Sequence, residues 1–223
     1  MSEVTATMVK SLRDRTGAGM MDCKNALIEA SGDEEQAVDI IQKKGLAKAA
    51  KKAGAVAAEG VVQSYIHPGN RIGVLVEINC QTDFVARNEE FRAFVDDVAM
   101  QIASMSPQFV RREDIPEDVK ERQRGIFKGQ LEEEEQKSGK KRPENAVDKI
   151  IDGKLNKWMT ESCLLEQGFI HDDKKTVQQV LEELMAKIGE KIDVRRFTRY
   201  ELGEGIEKAK KDLASEVAEA LGN

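Results

Sequence analysis

Residues 73–87 read GVLVEINCQTDFVAR, Gly73 to Arg87. The first half, Val74-Leu75-Val76-Glu77-Ile78, is apolar with a single charge and rich in β-branched residues, the composition of a mostly buried strand. Asn79-Cys80-Gln81-Thr82-Asp83 follows, a cluster whose side chains bond back to the main chain and favour a turn. Phe84 and Val85 come directly after it, and a clear helical pattern begins only at Asn88. A large aromatic beside a carboxylate thus stands at the exit of a rigid strand. Residue type alone favours folding Phe84 back into the core. The alternative is a presented hot spot, an aromatic held out by a rigid scaffold for a partner to receive.

Outward from this stretch the chain alternates strands and helices. Upstream, Val61, Val62, Ser64, Tyr65 and Ile66 form a strand, and His67-Pro68-Gly69-Asn70 turns it back into the stretch above as a β-hairpin. Downstream, Asn88 caps a helix carrying Phe91, Phe94, Val95, Val98, Ile102 and Met105 at helical spacing. Pro107 ends it, and 108–110 reads as a short strand. Residues 116–166 form a helical hairpin. Its first helix has a thin stripe of Val119, Ile126, Phe127 and Leu131, and its second carries Val147, Ile150, Ile151, Leu155, Trp158 and Met159 and runs on through Leu164 and Leu165. Thr176 caps a further helix that ends at Gly189. Residues 191–202 are a strand with Ile192, Val194, Arg196, Thr198 and Tyr200 on one face and Asp193, Arg195, Phe197, Arg199 and Glu201 on the other. The last segment, 206–221, is an amphipathic helix.

The N-terminal part has a different texture. Val4, Met8, Val9 and Leu12 share a helical face closed by Gly17-Ala18-Gly19. A second stripe runs from Met20 to Ala30, and Asp33 caps a third helix with Gln36 three residues on. The result is a small three-helix unit resembling a ubiquitin-associated domain. Met20 and Met21 read equally well as core filler and as an adaptable contact surface. Lys43, Lys44, Lys48, Lys51 and Lys52 alternate with alanines, which favours a solvated linker helix over a nucleic-acid patch, and Ala53-Gly54-Ala55 marks a hinge. The expected organisation is α+β in fold class: residues 1–54 a three-helix N-terminal domain, 55–203 an α+β core with antiparallel strands and the helical hairpin, and 204–223 a C-terminal helix.

With 223 residues the chain can bury a substantial core. Its net charge of −6 argues against direct nucleic-acid binding, and 34 % charged with 4 % aromatic residues fits helix-rich, solvated surfaces. Cys23, Cys80 and Cys163 are too far apart for a metal site or a disulfide framework, which fits a reduced, cytoplasmic setting; pairing of one cysteine between chains stays open. No secretory signal or membrane-spanning run is expected. Gly203-Glu204-Gly205 lacks the surroundings of a phosphate-binding loop, and His67 and His171 read as surface histidines. No nucleophile–base or metal-ligand pattern is present. No cofactor, metal or catalytic residue is expected, and the chain reads as one that acts by touching another protein.

Four separated stretches carry a family resemblance. LRDRTGAGMMDCKNAL (12–27), VEINCQTDFVAR (76–87), CLLEQGFIHD (163–172) and RRFTRYELGEG (195–205) together resemble the bacterial translation elongation factor Ts family, in order and across essentially the whole chain. The resemblance implies a guanine-nucleotide exchange factor for the GTPase elongation factor Tu. It implies that Thr82, Asp83, Phe84 and Val85 displace Mg²⁺ from the partner's nucleotide site, and that Arg13, Met20 and Met21 contact the partner. Longer members carry a duplicated core. This chain has a single one, as in shorter members that dimerise, which implies a homodimer and a 2:2 complex through either the 116–166 hairpin or the 191–202 strand. Two competing readings come from other classes: a peptide-binding adaptor or holdase using the N-terminal unit, and an RNA-binding module using the lysine run, whose affinity would collapse with salt.

Overall fold

Thr5 starts the first helix by accepting a hydrogen bond from the Met8 N–H at 3.3 Å, and Gly17 ends it in the left-handed conformation. In the computed structural model, which describes residues 4–52, 56–139 and 142–206, this helix is α1 (Ala6–Thr16). It packs with α2 (Met20–Glu29) and α3 (Glu34–Lys52), the last capped by Asp33, which accepts from the Gln36 N–H at 2.9 Å. Leu12, Cys23, Ala26, Leu27 and Ala37 are the buried centre of this three-helix unit. Met20 and Met21 are not filler: they stand outside that centre, 56 % and 65 % exposed. The backbone of α3 runs through the lysine region without a break, and Lys44 is ion-paired to Glu29. The hinge at 53–55 lies outside the described residues.

The strands form a second centre. β1 (Glu59–Ile66) and β2 (Ile72–Cys80) make the expected hairpin, with Asn70 in the left-handed region at its tip. β5 (Ile192–Glu201) joins antiparallel on the other side, giving the order β1-β2-β5. The amphipathic α5 (Glu89–Met105) covers one face of the sheet. Phe91, Val95, Val98 and Ile102 enter one buried cluster with Val74, Val76 and Ile78 of β2, Ile192 and Val194 of β5, and Val177 and Leu181 of α8 (Val177–Ile188). Thr176 caps α8 through a reciprocal pair of bonds with Gln179.

The simple alternation expected along 191–202 is interrupted. Glu77 faces Arg196 while Ile78 faces Val194, so Arg195 is an extra, bulged residue. Beyond the bulge the faces exchange: Phe197 packs against the core and Tyr200 is 72 % exposed, the reverse of a continuous alternation with Ile192 and Val194. The bulge also lets two consecutive arginines reach one carboxylate, with Arg195 and Arg196 each 2.7 Å from Glu77.

The helical hairpin is present as α6 (Glu117–Ser138) and α7 (Glu144–Ser162), with Gly139 at the break. Its buried seam is short, comprising Leu131, Ile151 and Leu155. The second helix does not continue through Leu164 and Leu165. The chain breaks at Cys163, which bridges Phe109, and both leucines sit in a single 3-10 turn buried in the sheet's core. A small ribbon of β3 (Gly168–Phe169) and β4 (Asp172–Thr176) then leads into α8. All three cysteines are buried and unpaired, so none is presented for pairing between chains. The expected C-terminal helix lies, beyond its first residues, outside the described residues. Among the described residues no helix is long and apolar enough to cross a membrane.

The two centres meet along α3 and α8. Gly45 is buried there, and a Cβ in its place would lie 2.5 Å from the Ala186 Cβ. Both atoms ride on helix backbone and cannot swing aside, so the absence of a side chain at Gly45 is what allows this approach. The N-terminal unit's own core is small, and docking on α8 adds to what holds it in place.

Hydrogen bonds from Arg195 and Arg196 hold the Glu77 carboxyl down to about 2. A carboxyl depressed in the folded state stabilises fully above its unfolded pKa and loses that contribution as pH falls through the folded value. Resistance to urea is therefore expected to fall between pH 4.5 and about 2, with a flatter profile for Glu77→Gln. Midpoints at stepped pH check this, and identical acid profiles for the two proteins would contradict it.

Candidate functional site

β2 ends at Cys80, and two residues later Thr82 caps a single helical turn, α4 (Asp83–Ala86). The helix thus starts five residues earlier than the hydrophobic pattern indicates. A four-residue helix does not sustain itself, and this one is held by its surroundings. On one side Val85 and Ala86 are sunk into the sheet's core. At its start the Thr82 hydroxyl accepts from the Val85 N–H at 3.4 Å and donates to Glu190 Oε1 at 2.9 Å, while the Thr82 N–H donates to Glu190 Oε2 at 3.2 Å. Beneath it the buried Cys80 thiol donates to the Thr82 carbonyl at 3.2 Å. Burial pushes that thiol's pKa up and the Glu190 carboxylate pushes it further, which keeps the donor proton in place.

On the outer side of the same turn stand Asp83 and Phe84. Asp83 pairs with Arg87 at 2.9 Å in an exposed i,i+4 contact that contributes little to stability. Phe84 is 79 % exposed, so the reading that folds it into the core is overturned. A single exposed aromatic is unremarkable by itself. The informative feature is that its backbone is tied down on three sides while the ring is left free. The Asn88 side chain then accepts from the Glu90 and Phe91 N–H groups and starts α5, as its residue type predicts.

Arg13 is exposed in the last turn of α1, and Met20 and Met21 are exposed in the first turn of α2. These are linked to the Phe84 turn through the end of α8. The Lys187 stem lies under Gly17, where a Cβ would sit 2.1 Å from Lys187 Cε, and its ammonium bonds to Glu90 at 2.5 Å in the first turn of α5. Three residues on, Glu190 grips Thr82. Lys187, Glu90 and Glu190 are absent from the residues that the sequence singles out. A signal existed for Glu190: Cys80 pairs with Ile192, and carrying that antiparallel register two residues further places Glu190 opposite Thr82.

Beside the contact between the N-terminal unit and α8 lies a cleft of about 750 Å³, which β4 also lines. Three ion pairs stand at its walls, Arg15 with Glu34, Lys175 with Glu183 and Lys187 with Glu90. Among the described residues no group of three or more His, Cys, Asp or Glu side chains is arranged to hold a metal ion. The arrangement at the Phe84 turn suits contact: an apolar ring, a carboxylate beside it and a rigid base.

A family model described as "Elongation factor TS" matches residues 3–204. The protein named elongation factor Ts of Desulforamulus reducens is 60 % identical over 98 % of this chain and 98 % of its own length. Those of Geobacter sulfurreducens and Carboxydothermus hydrogenoformans are each 57 % identical, covering 98 % of this chain and 99 % and 98 % of their own lengths.

Proposed function

The chain belongs to the elongation factor Ts family, and from that premise we propose that it is a cytoplasmic guanine-nucleotide exchange factor for elongation factor Tu. It acts by contact and carries out no bond chemistry of its own. The observation that carries the mechanism is the exposed Phe84 ring on an immobilised turn. Phe84 enters between the partner's elements that surround its nucleotide, and Asp83 beside it bonds to the partner. The partner's Mg²⁺ demands near-ideal octahedral geometry, so a small shift of those elements loosens both ion and nucleotide. Val85 serves from behind, as the buried anchor of the same turn.

Magnitudes set the division of labour. A ten-thousand-fold acceleration of GDP release requires about 5.5 kcal/mol. Burying one Phe side chain supplies about 1.5–3 kcal/mol. The rest comes from a wider interface, for which exposed Arg13, Met20 and Met21 on the N-terminal unit are suited.

A homodimer, and with the partner a 2:2 complex, is part of the same reading. Between the two candidate dimer surfaces, the 191–202 strand is favoured by the outer face of its sheet. That face bares Val62, Ile66, Leu75 and Tyr200, each at least half exposed, and they lie on one side because Ile66 faces Gly73, which faces Tyr200, and Ser64 faces Leu75. The seam of the hairpin is largely spent between its own helices.

Phe84→Ala is expected to lower catalysed release of fluorescent GDP from elongation factor Tu by at least about tenfold while leaving the melting temperature nearly unchanged, because so exposed a ring contributes little to the fold. Stopped-flow release with catalytic factor, beside calorimetry, reads both. Unaltered release would remove Phe84 from the mechanism, and no acceleration by the unmodified protein would remove the function. Light scattering of the free protein is expected to give a dimer that Leu75→Glu converts to monomer; a monomer from the start would contradict the dimer.

A further inference from the structure

We propose that Glu190 is a positioning residue for nucleotide exchange: it fixes the turn that carries Phe84, so that binding displaces the partner's elements instead of the turn. The proposal rests on the reading of Phe84 as the wedge.

A wedge transmits displacement only when its base is stiffer than what it pushes on. The base here is α4, four residues long and dependent on outside ties. Val85 and Ala86 secure its inner side. Its start is secured by Glu190, which takes both donors of Thr82, the N–H at 3.2 Å and the hydroxyl at 2.9 Å. Bonds to a carboxylate are roughly twice as strong as neutral ones. The hydroxyl, by giving its proton to Glu190, also turns a lone pair toward the Val85 N–H, so the same contact completes the helix cap. Glu190 is itself fixed: Gly189 ends α8 before it, and the Lys191 N–H after it donates to Gln81 Oε1 at 3.2 Å. Thr82 and Glu190 are 108 residues apart in sequence, and the tie therefore joins the wedge to α8, the helix on which the N-terminal unit docks through Gly45 and Gly17. Push from the partner on Phe84 is carried into α8 and the sheet.

The chemistry allows a discriminating variant. In Glu190→Gln the amide oxygen accepts from the Thr82 N–H and the amide nitrogen donates to the Thr82 hydroxyl, so the geometry survives without the charge. Glu190→Ala leaves both donors to water.

Fluorescent-GDP release is measured over a range of factor concentration for the unmodified protein, Glu190→Ala and Glu190→Gln. Amide hydrogen exchange at Val85 and Ala86 is measured in the free proteins. Glu190→Ala is expected to lower the maximal release rate by about ten- to a hundredfold with little change in the half-saturating concentration, the pattern of a lost transition-state effect, and to speed amide exchange in the turn. Glu190→Gln is expected to retain most of the rate and the protection. A Glu190→Ala protein with the full maximal rate, or a Gln variant as poor as Ala, would overturn the proposal. So would unchanged amide exchange, whatever the release rates. Failure of the unmodified protein to accelerate release would overturn the functional reading, and the proposal with it.

Discussion

Thr82 gives both its N–H and its hydroxyl to one carboxylate, Glu190, and that pair of bonds anchors the start of the turn that presents Phe84. The sheet makes the meeting possible. β2 and β5 run antiparallel with Cys80 opposite Ile192, so the residues just beyond each strand's end are delivered to the same place. The buried faces of those strands are closed by α5 and α8, which fixes their spacing. A one-residue slip would send the apolar set to solvent, so the register, and with it the alignment of Thr82 with Glu190, is set by burial. The bulge at Arg195 falls between this end of the pairing and the exposed half of β5, and leaves the Cys80–Ile192 end regular.

Helix α8 is the second part of this constraint. Its body is pressed against α3 at Gly45, its last turn passes under Gly17 through Lys187, and the residue after its Gly189 stop holds Thr82. Two surfaces distant in sequence, the methionines of α2 and the ring of Phe84, are therefore mounted on one support. That arrangement answers the energetic requirement. No single side chain supplies enough binding energy to accelerate release by orders of magnitude, so the proposed mechanism requires grip in one place to be converted into displacement in another. A rigid connection is what makes the conversion efficient.

Much of this was legible in the chain. The β-branched run at 74–78, the turn chemistry of His67 to Asn70, and the caps at Asp33, Asn88 and Thr176 each act locally, and each appears where its residue types place it. Other features were hidden for physical reasons. The four residues of α4 span barely one turn and generate no periodicity. The bulge at Arg195 leaves an apparently perfect alternation while exchanging the faces beyond it. Asp172–Thr176 is a strand of polar residues without an apolar face to signal it. Phe84 is exposed because the neighbouring Val85 and Ala86 fill the core position, a packing outcome that its residue type cannot announce. Glu190 was reachable only by extending a strand register across 108 residues.

Thermodynamic linkage gives the most direct measurement. If Phe84 converts binding energy into weakened nucleotide affinity, GDP and the factor must antagonise one another on elongation factor Tu by the same factor in both directions. Titration calorimetry of the factor into nucleotide-free and GDP-loaded elongation factor Tu measures that coupling. The predicted result is a large loss of factor affinity in the presence of GDP, which Phe84→Ala reduces severalfold while retaining most of the affinity for the nucleotide-free partner. Equal factor affinity with and without GDP, or a coupling that Phe84→Ala leaves intact, would contradict it.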